Sequence, residues 1–340
     1  MIPLAGNKTR NCSIDIFRYI CAFLVITIHT HPLKEHSFLA DFIFVEVFGK
    51  IAVPFFFIVA GYFYVKKLEK GQPAFLSYLK RIFITYGLWS VVYIGLSYIN
   101  YDKPLTSFIK ETAEKFFTSG SYYHFWYFPA LIFGLCLTTL LYKLRLKKLI
   151  IPLSIALFAL GSFCQAYRQW TTGIDFIDAI CSHPDFAVIH KFFMRGFPWF
   201  GCGLLVYHAE RKLLPKLSNL RLFIVAAINF AVWSGEIYFI FSNNNNANFA
   251  SSLSLYPLMV LILLILLKNP LPKLSKLSER CRILANFTYY SHPFFLFIFA
   301  YSGTDITNLN RFIFAFGTTL VIGLILSKFS KNKIVKLIAG

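Results

Sequence analysis

The feature that most constrains this chain is an alternation. Apolar runs long enough to cross a hydrocarbon layer recur from one end to the other, and clusters of lysine and arginine separate them. A bilayer core is about 30 Å thick and takes ~20 helical residues to cross, and a helix in lipid satisfies its own backbone. The pattern therefore predicts an all-α, polytopic membrane helix bundle. Ten segments are marked out, at about 14–33, 40–65, 82–100, 124–142, 149–166, 191–208, 222–241, 252–267, 283–301 and 312–327, in one membrane-embedded domain over 1–340. Such a count leaves no room for a sizeable extramembrane domain, so the bundle itself is expected to carry the function.

Charge gives the bundle a direction. With the amino terminus inside, the inner connections hold Lys66, Lys67, Lys70, Lys80 and Arg81, then Lys143, Arg145, Lys147 and Lys148, then Arg211, Lys212, Lys216 and Arg221, then Lys268, Lys273, Lys276, Arg280 and Arg282. Lys8 and Arg10 precede the first span, and Lys328, Lys331, Lys333 and Lys336 follow the last. The outer connections at 101–123 and 167–190 carry aromatics and acids instead, and SNNNNANF from Ser242 is a short polar loop. Cytoplasmic loops hold the excess of basic residues, so both termini are expected in the cytoplasm.

A content of 57% hydrophobic and 14% charged residues excludes a soluble globular domain. The net charge of +19 raises the question of nucleic acid, but that partner needs basic residues gathered on a water-exposed face. Here they alternate with apolar segments, so the partner is the lipid bilayer, with no nucleic acid. The seven cysteines are scattered singly without CxxC spacing, which gives neither a metal site nor a disulfide framework. MIPLAGNKTRNC has no apolar run ahead of a cleavage site, and the first span is expected to be retained.

The first span, IDIFRYICAFLVITIHTHP from Ile14, sets ionisable residues within an apolar helix. Asp15 and Arg18 are three residues apart and share a helical face. His29 follows Arg18 by about three turns, so the two point the same way roughly 16 Å apart along the axis. One reading is an interfacial ion pair with a helix-contact histidine; the other is a wall of a reaction path or ion path. Arg81, in SYLKRIFITY, is either an ordinary inner-face residue or, with Arg18, half of a place for a phosphate-bearing donor. In YYHFWYFPALIFG, Trp126 and Tyr127 fit an interfacial aromatic belt, and His124 is placed at the outer end of a pore. His292 lies inside the ninth span and is followed by Pro293, which is expected to break the helix locally and open backbone groups. It is either a second-tier site residue or a histidine bonded to a neighbouring helix. Glu236 in the seventh span reaches water or meets a cation across the bundle, such as Arg195. His36 and Asp41 have the H-x4-D spacing of a soluble acyltransferase motif, but nothing around them builds that site.

Several of these motifs together resemble one family. The ID-x-x-R start with Arg18 and His29 is similar to the first span of the acyltransferase-3 family of integral membrane O-acyltransferases. AVPFFFIVAGYFY from Ala52 resembles that family's second-span signature, with Ala60 in place of the usual serine; LKRIFITY resembles its third-span arginine motif, with Lys80 and Arg81 for a richer cluster. HFWYFPAL and YYSHPFFLF resemble two further segments, and the match runs in order from about residue 13 to 327. In build the chain is similar to the enterobacterial common antigen O-acetyltransferase group and to the membrane halves of vancomycin-resistance serine racemases.

The resemblance implies a multi-pass protein of a bacterial cell (inner) membrane. It implies a cytoplasmic acyl-CoA donor, acetyl-CoA in the first instance, with no permanently bound cofactor, and a glycan or lipid-linked saccharide hydroxyl as acceptor. Arg18 and Arg81 would then engage the donor phosphates, with Asp15 holding Arg18. His29 would be the general base or carry the acyl group itself, and His124, Trp126 and Tyr127 would shape the acceptor end. The likeness to racemase halves implies the alternative of a carrier for a small polar solute such as an amino acid.

Overall fold

The chain is helical throughout in a computed structural model that describes residues 11–99, 101–244, 247–301 and 307–339, with no strand among them. Lys8, Arg10, Asn245 and Asn246 lie outside the described residues. The bundle is built from α1 (Cys12–Thr30), α2 (Ala52–Leu68), α3 (Phe75–Ile99), α4 (Tyr127–Lys143), α5 (Ile150–Cys164), α6 (Phe197–Lys212), α7 (Asn219–Asn243), α8 (Leu255–Lys268), α9 (Ser275–Tyr301) and α10 (Asn308–Lys328), and α11 (Lys333–Ala339) closes the chain. Among the described residues seven helical runs are long and apolar enough to cross a membrane, and α4 and α8 are shorter apolar helices. The protein is an all-α polytopic membrane bundle.

Side-chain contacts fix how the helices run. Asp15 of α1 meets Ser278 of α9, and fourteen residues on in both helices His29 meets His292, so α1 and α9 are parallel neighbours in constant register. In α2 and α6, Gly61 lies against Phe200 and Lys66 pairs with Glu210 at 3.0 Å, so these two are parallel as well. The α4 helix joins them in the same sense, with Gly134 against Phe200 and Tyr64 bonded to Thr139. Running the other way, α5 sets Gly161 against Met194 and Ser154 against Gly201. The α10 helix is antiparallel to α9, packing Gly323 on Leu284 and Phe314 on Phe299. Successive crossings of a bilayer by apolar helices impose this up-and-down order.

Burial separates an inner set from an outer one. The runs containing α1, α2 and α9 bury 56% of their apolar windows, whereas those of α3, α7 and α10 bury 22%, 22% and 17%. The first three therefore form the interior of the bundle. The run leading into α2 is not a uniform helix: Ile43–Phe48 widens to a π turn and Gly49–Ile51 tightens to a 3-10 turn. At Gly49 a β-carbon would stand 2.9 Å from Ile28 Cγ1, so α1 approaches closely there.

The tightest seam joins α2 to α6 backbone to backbone. A β-carbon on Gly61 would lie 2.0 Å from the Phe200 carbonyl oxygen, and one on Gly203 would lie 2.2 Å from the Tyr62 nitrogen. In lipid, where apolar side chains gain little by leaving one apolar medium for another, such close approach supplies the packing energy. Gly61→Ala or Gly203→Ala is expected to destabilise the purified protein by about 1–3 kcal/mol, read as a lowered thermal midpoint in detergent. Gly87→Ala, where nothing lies within 4 Å, is expected to leave the midpoint unchanged or slightly raised.

Just beyond α2, Glu69 accepts hydrogen bonds from Tyr142 Oη at 2.8 Å and Lys147 Nζ at 3.1 Å, tying α2 to the end of α4 and the turn before α5. Burial pushes its carboxyl up, but the bonds from Tyr142 and Lys147 prevail and hold it below its ordinary value of 4.5. A depressed carboxyl contributes stability that is present above its unfolded value and lost as pH falls through its folded one. Acidification below about 4.5 is thus expected to lower the thermal midpoint of the native protein more than that of Glu69→Gln, compared over the same pH series.

Candidate active site

The foot of α1 is held by a set of hydrogen bonds. Asn11 caps the helix through Oδ1, which accepts from the Ile14 nitrogen at 3.2 Å. Asn11 Nδ2 donates to the Leu266 carbonyl at 3.0 Å and the Cys12 nitrogen to that of Pro270 at 2.8 Å, so the start of α1 is fastened to the end of α8 and the turn after it. Asp15 stands in the first turn, where the helix dipole favours a carboxylate. Its Oδ2 accepts from Ser278 Oγ at 2.7 Å, and its Oδ1 meets Arg18 Nη1 at 3.2 Å.

The Arg18 side chain is 24% accessible, with its guanidinium 5.9 Å from the centre of the Phe63 ring. Arg81, Arg282 and Tyr127 are close enough to act on it electrostatically. Tyr127 and Tyr290 each lie within range of both Arg18 and Arg81. The guanidiniums of Arg18 and Arg81, from α1 and α3, thus share two phenols, and Arg282 of α9 lies within electrostatic range of Arg18. Low dielectric strengthens the pull of such a group on an anion, and the planar guanidinium forks match phosphate oxygens. Arg282 was not singled out in the sequence, where it is one more basic residue of an inner loop; only the parallel register of α1 and α9 brings it in.

Near the other end of α1 three imidazoles gather. The rings of His29 and His292 stack with centroids 5.4 Å apart, and His124 stands edge-on to His292 at 5.3 Å. Tyr123 lies edge-on to His29 at 4.9 Å. His124 and His292 are buried, and neither ring nitrogen of His124 has a hydrogen-bond partner. Among the described residues no group of His, Cys, Asp or Glu side chains is arranged to hold a metal ion; the rings pack by face and edge.

Pro293 does not break α9, which runs from Ser275 to Tyr301 with the proline inside it. A proline has no N–H to give the carbonyl four residues back, here that of Tyr289. His292 Nδ1 takes its place, 3.0 Å from the carbonyl oxygens of Thr288 and Tyr289. The ring mends the helix at the point where interruption was expected.

Tyrosines connect the two groups. The Tyr289 ring contacts those of Tyr127 at 5.7 Å and His124 at 5.8 Å, and its hydroxyl donates to the His124 carbonyl at 2.9 Å. Tyr127 therefore stands between arginines and histidines. Trp126 turns the other way, under the Arg195 guanidinium at 5.7 Å. Glu236 does not meet Arg195: it accepts from Tyr167 Oη, from the backbone nitrogens of Leu253 and Ser254, and from Ser254 Oγ. Those donors place its carboxylate at the start of α8, a favourable position for negative charge. Asp41 is paired with His31 rather than His36, at 2.9 Å from Nδ1, and also accepts from the Leu33 nitrogen. That pairing depends on His31 ending α1 in a left-handed conformation, φ 49°.

A cationic group, a tyrosine layer and an imidazole group along one helix pair can bind an anionic donor at one end and move a proton at the other. A family model described as an acyltransferase domain matches residues 11–328. The chain belongs to the acyltransferase-3 family. This acyltransferase-3 protein is 32% identical over 303 residues to an amino-acid racemase of Enterococcus faecalis, covering 86% of the present chain and 42% of the relative. It is also 31% identical over 162 residues to a serine/alanine racemase of Enterococcus gallinarum, covering 45% of the present chain and 22% of the relative. The chain thus spans less than half the length of these relatives. No solved structure matches it.

Removing Asp15 from this acyltransferase-3 protein leaves Arg18 without its carboxylate in a low dielectric. Asp15→Ala is expected to cost about 3 kcal/mol, the low end for one partner of a buried pair, and Asp15→Asn less because Ser278 keeps an acceptor. Thermal unfolding of the two purified variants in the same detergent checks the order.

Proposed function

We propose that the protein is a membrane O-acyltransferase that moves an acyl group, acetyl in the first instance, from cytoplasmic acyl-CoA to a hydroxyl of a surface or lipid-linked glycan. The observation that carries this reading is the register of α1 against α9, which brings Arg282 within electrostatic range of Arg18 and sets His29 beside His292, with Arg81 of α3 also within range of Arg18. The basic inner loops orient the arginine end toward the cytoplasm and leave both termini on that side, in a bacterial cytoplasmic membrane. There the guanidiniums hold the donor phosphates as bidentate partners, and Asp15 holds Arg18. About three turns of helix, ~16 Å, separate Arg18 from His29, a span comparable with a pantetheine arm.

At the upper end the acceptor hydroxyl oxygen attacks the thioester carbonyl carbon. The carbon–sulfur bond breaks, His29 takes the hydroxyl proton, and that proton passes to the departing thiolate. His124 and Tyr127 shape the space around the reacting atoms. Trp126 and Glu236 support the surrounding helices.

A second reading, a carrier for a small polar solute, is favoured by the names of the relatives, which act on amino acids and of which this chain matches a part. Uptake of labelled serine by proteoliposomes without any acyl donor would favour it. For the acyltransferase, His29→Ala is expected to lower transfer by a factor of about 10²–10⁴ in a folded, inserted protein. The readout is loss of the acyl increment on lipid-linked and surface glycans by mass spectrometry. Full retention of that increment removes His29 from the mechanism, and its absence in wild-type cells removes the reaction.

A further inference from the structure

We propose that the His292–Pro293 pair is a device that fixes one imidazole tautomer, and that His292 Nε2 is a standing hydrogen-bond acceptor for the hydroxyl of the acceptor substrate. The second half rests on the acyltransferase reading above; the first does not.

The argument begins with the backbone. Pro293 leaves the Tyr289 carbonyl without its helical donor, and His292 Nδ1 lies 3.0 Å from that oxygen and from the Thr288 oxygen. A carbonyl oxygen only accepts, so the nitrogen between two carbonyls carries the proton. In the neutral ring the other nitrogen then carries a lone pair. That nitrogen, Nε2, is buried and has no hydrogen-bond partner. An acceptor enclosed in a protein interior without a donor is rare enough to need a reason.

The surroundings say what donor it takes. The His292 ring stacks on His29 with planes 22° apart, so the two rings lie side by side rather than bonding edge to edge. His124 and Tyr289 close the neighbourhood, at 5.3 Å and 6.4 Å between ring centres. Tyr289 Oη is already spent on the His124 carbonyl. A hydroxyl brought to His29 for deprotonation meets a second ring beside it whose free nitrogen can only accept. His292 thereby orients the hydroxyl and selects a neutral hydrogen-bond donor over a carboxylate or phosphate, which could offer Nε2 nothing.

Purified protein labelled with ¹⁵N-histidine in nanodiscs, with no acyl donor present, tests the tautomer independently of any reaction. His292, assigned by the signal lost in His292→Asn, is expected to be protonated at Nδ1 and unprotonated at Nε2. An Nε2–H form at neutral pH overturns the proposal. Pro293→Ala restores an N–H for Tyr289 and is expected to return part of His292 to the Nε2–H form; an unchanged tautomer overturns the role of the proline.

His292→Asn keeps a donor for the carbonyls but has no acceptor at the Nε2 position. It is expected to lower kcat/KM for the glycan acceptor about 100-fold while KM for acetyl-CoA stays unchanged. A purely structural histidine would move both parameters or neither, and unaltered transfer by a folded variant overturns the acceptor role. If the wild type transfers nothing, the acyltransferase reading fails and takes the hydroxyl role with it, while the tautomer result stands or falls by itself.

Discussion

The parallel register of α1 and α9 is the interaction on which the rest of the molecule depends. Polar groups at membrane depth are costly unless each meets a partner, and here two rungs of partners, Asp15 with Ser278 and His29 with His292, lie fourteen residues apart on both helices. A slip of one residue would turn each side chain by ~100° about its axis and separate both rungs together. The apolar surface between them, with Cys21, Ala22, Val25 and Ile26 buried, is indifferent to register by itself. The polar ends choose the register, and the choice delivers Arg282 to Arg18.

Much of this architecture was legible in the sequence because a bilayer reduces topology to a choice of direction at each crossing. Arg18 and His29 could be placed on one stripe from helical spacing alone. What spacing within one helix cannot give is which helix stands opposite. Arg282 was therefore indistinguishable from its basic neighbours, and Tyr127 was assigned to the outer end although it also faces the arginines. Glu236 was expected to reach water or a cation across the bundle, yet neutral donors at a helix start satisfy it. His36 and Asp41 share only a sequence interval and were set aside, and a left-handed turn at His31 makes that histidine the neighbour of Asp41 instead.

Pro293 illustrates a different limit. Its missing N–H is visible in the sequence, but the repair by the preceding side chain depends on a rotamer, and only the assembled helix shows that His292 Nδ1 reaches the orphaned carbonyl. The backbone defect left by Pro293 and the ring that repairs it come from adjacent residues.

The glycine seam between α2 and α6 bears on how the molecule can move. With backbone on backbone at Gly61 and Gly203, no side chain separates the two helices at that crossing, so sliding or rolling there would drive main chain into main chain. The pair behaves as a stiff keel, with α4 carried along it. Opening of the interior to a substrate must therefore be accomplished by helices that show more of themselves to lipid, and α3 is such a helix that also bears Arg81. Arg18 on the inner α1 and Arg81 on the lipid-facing α3 would then sit on helices of unequal freedom.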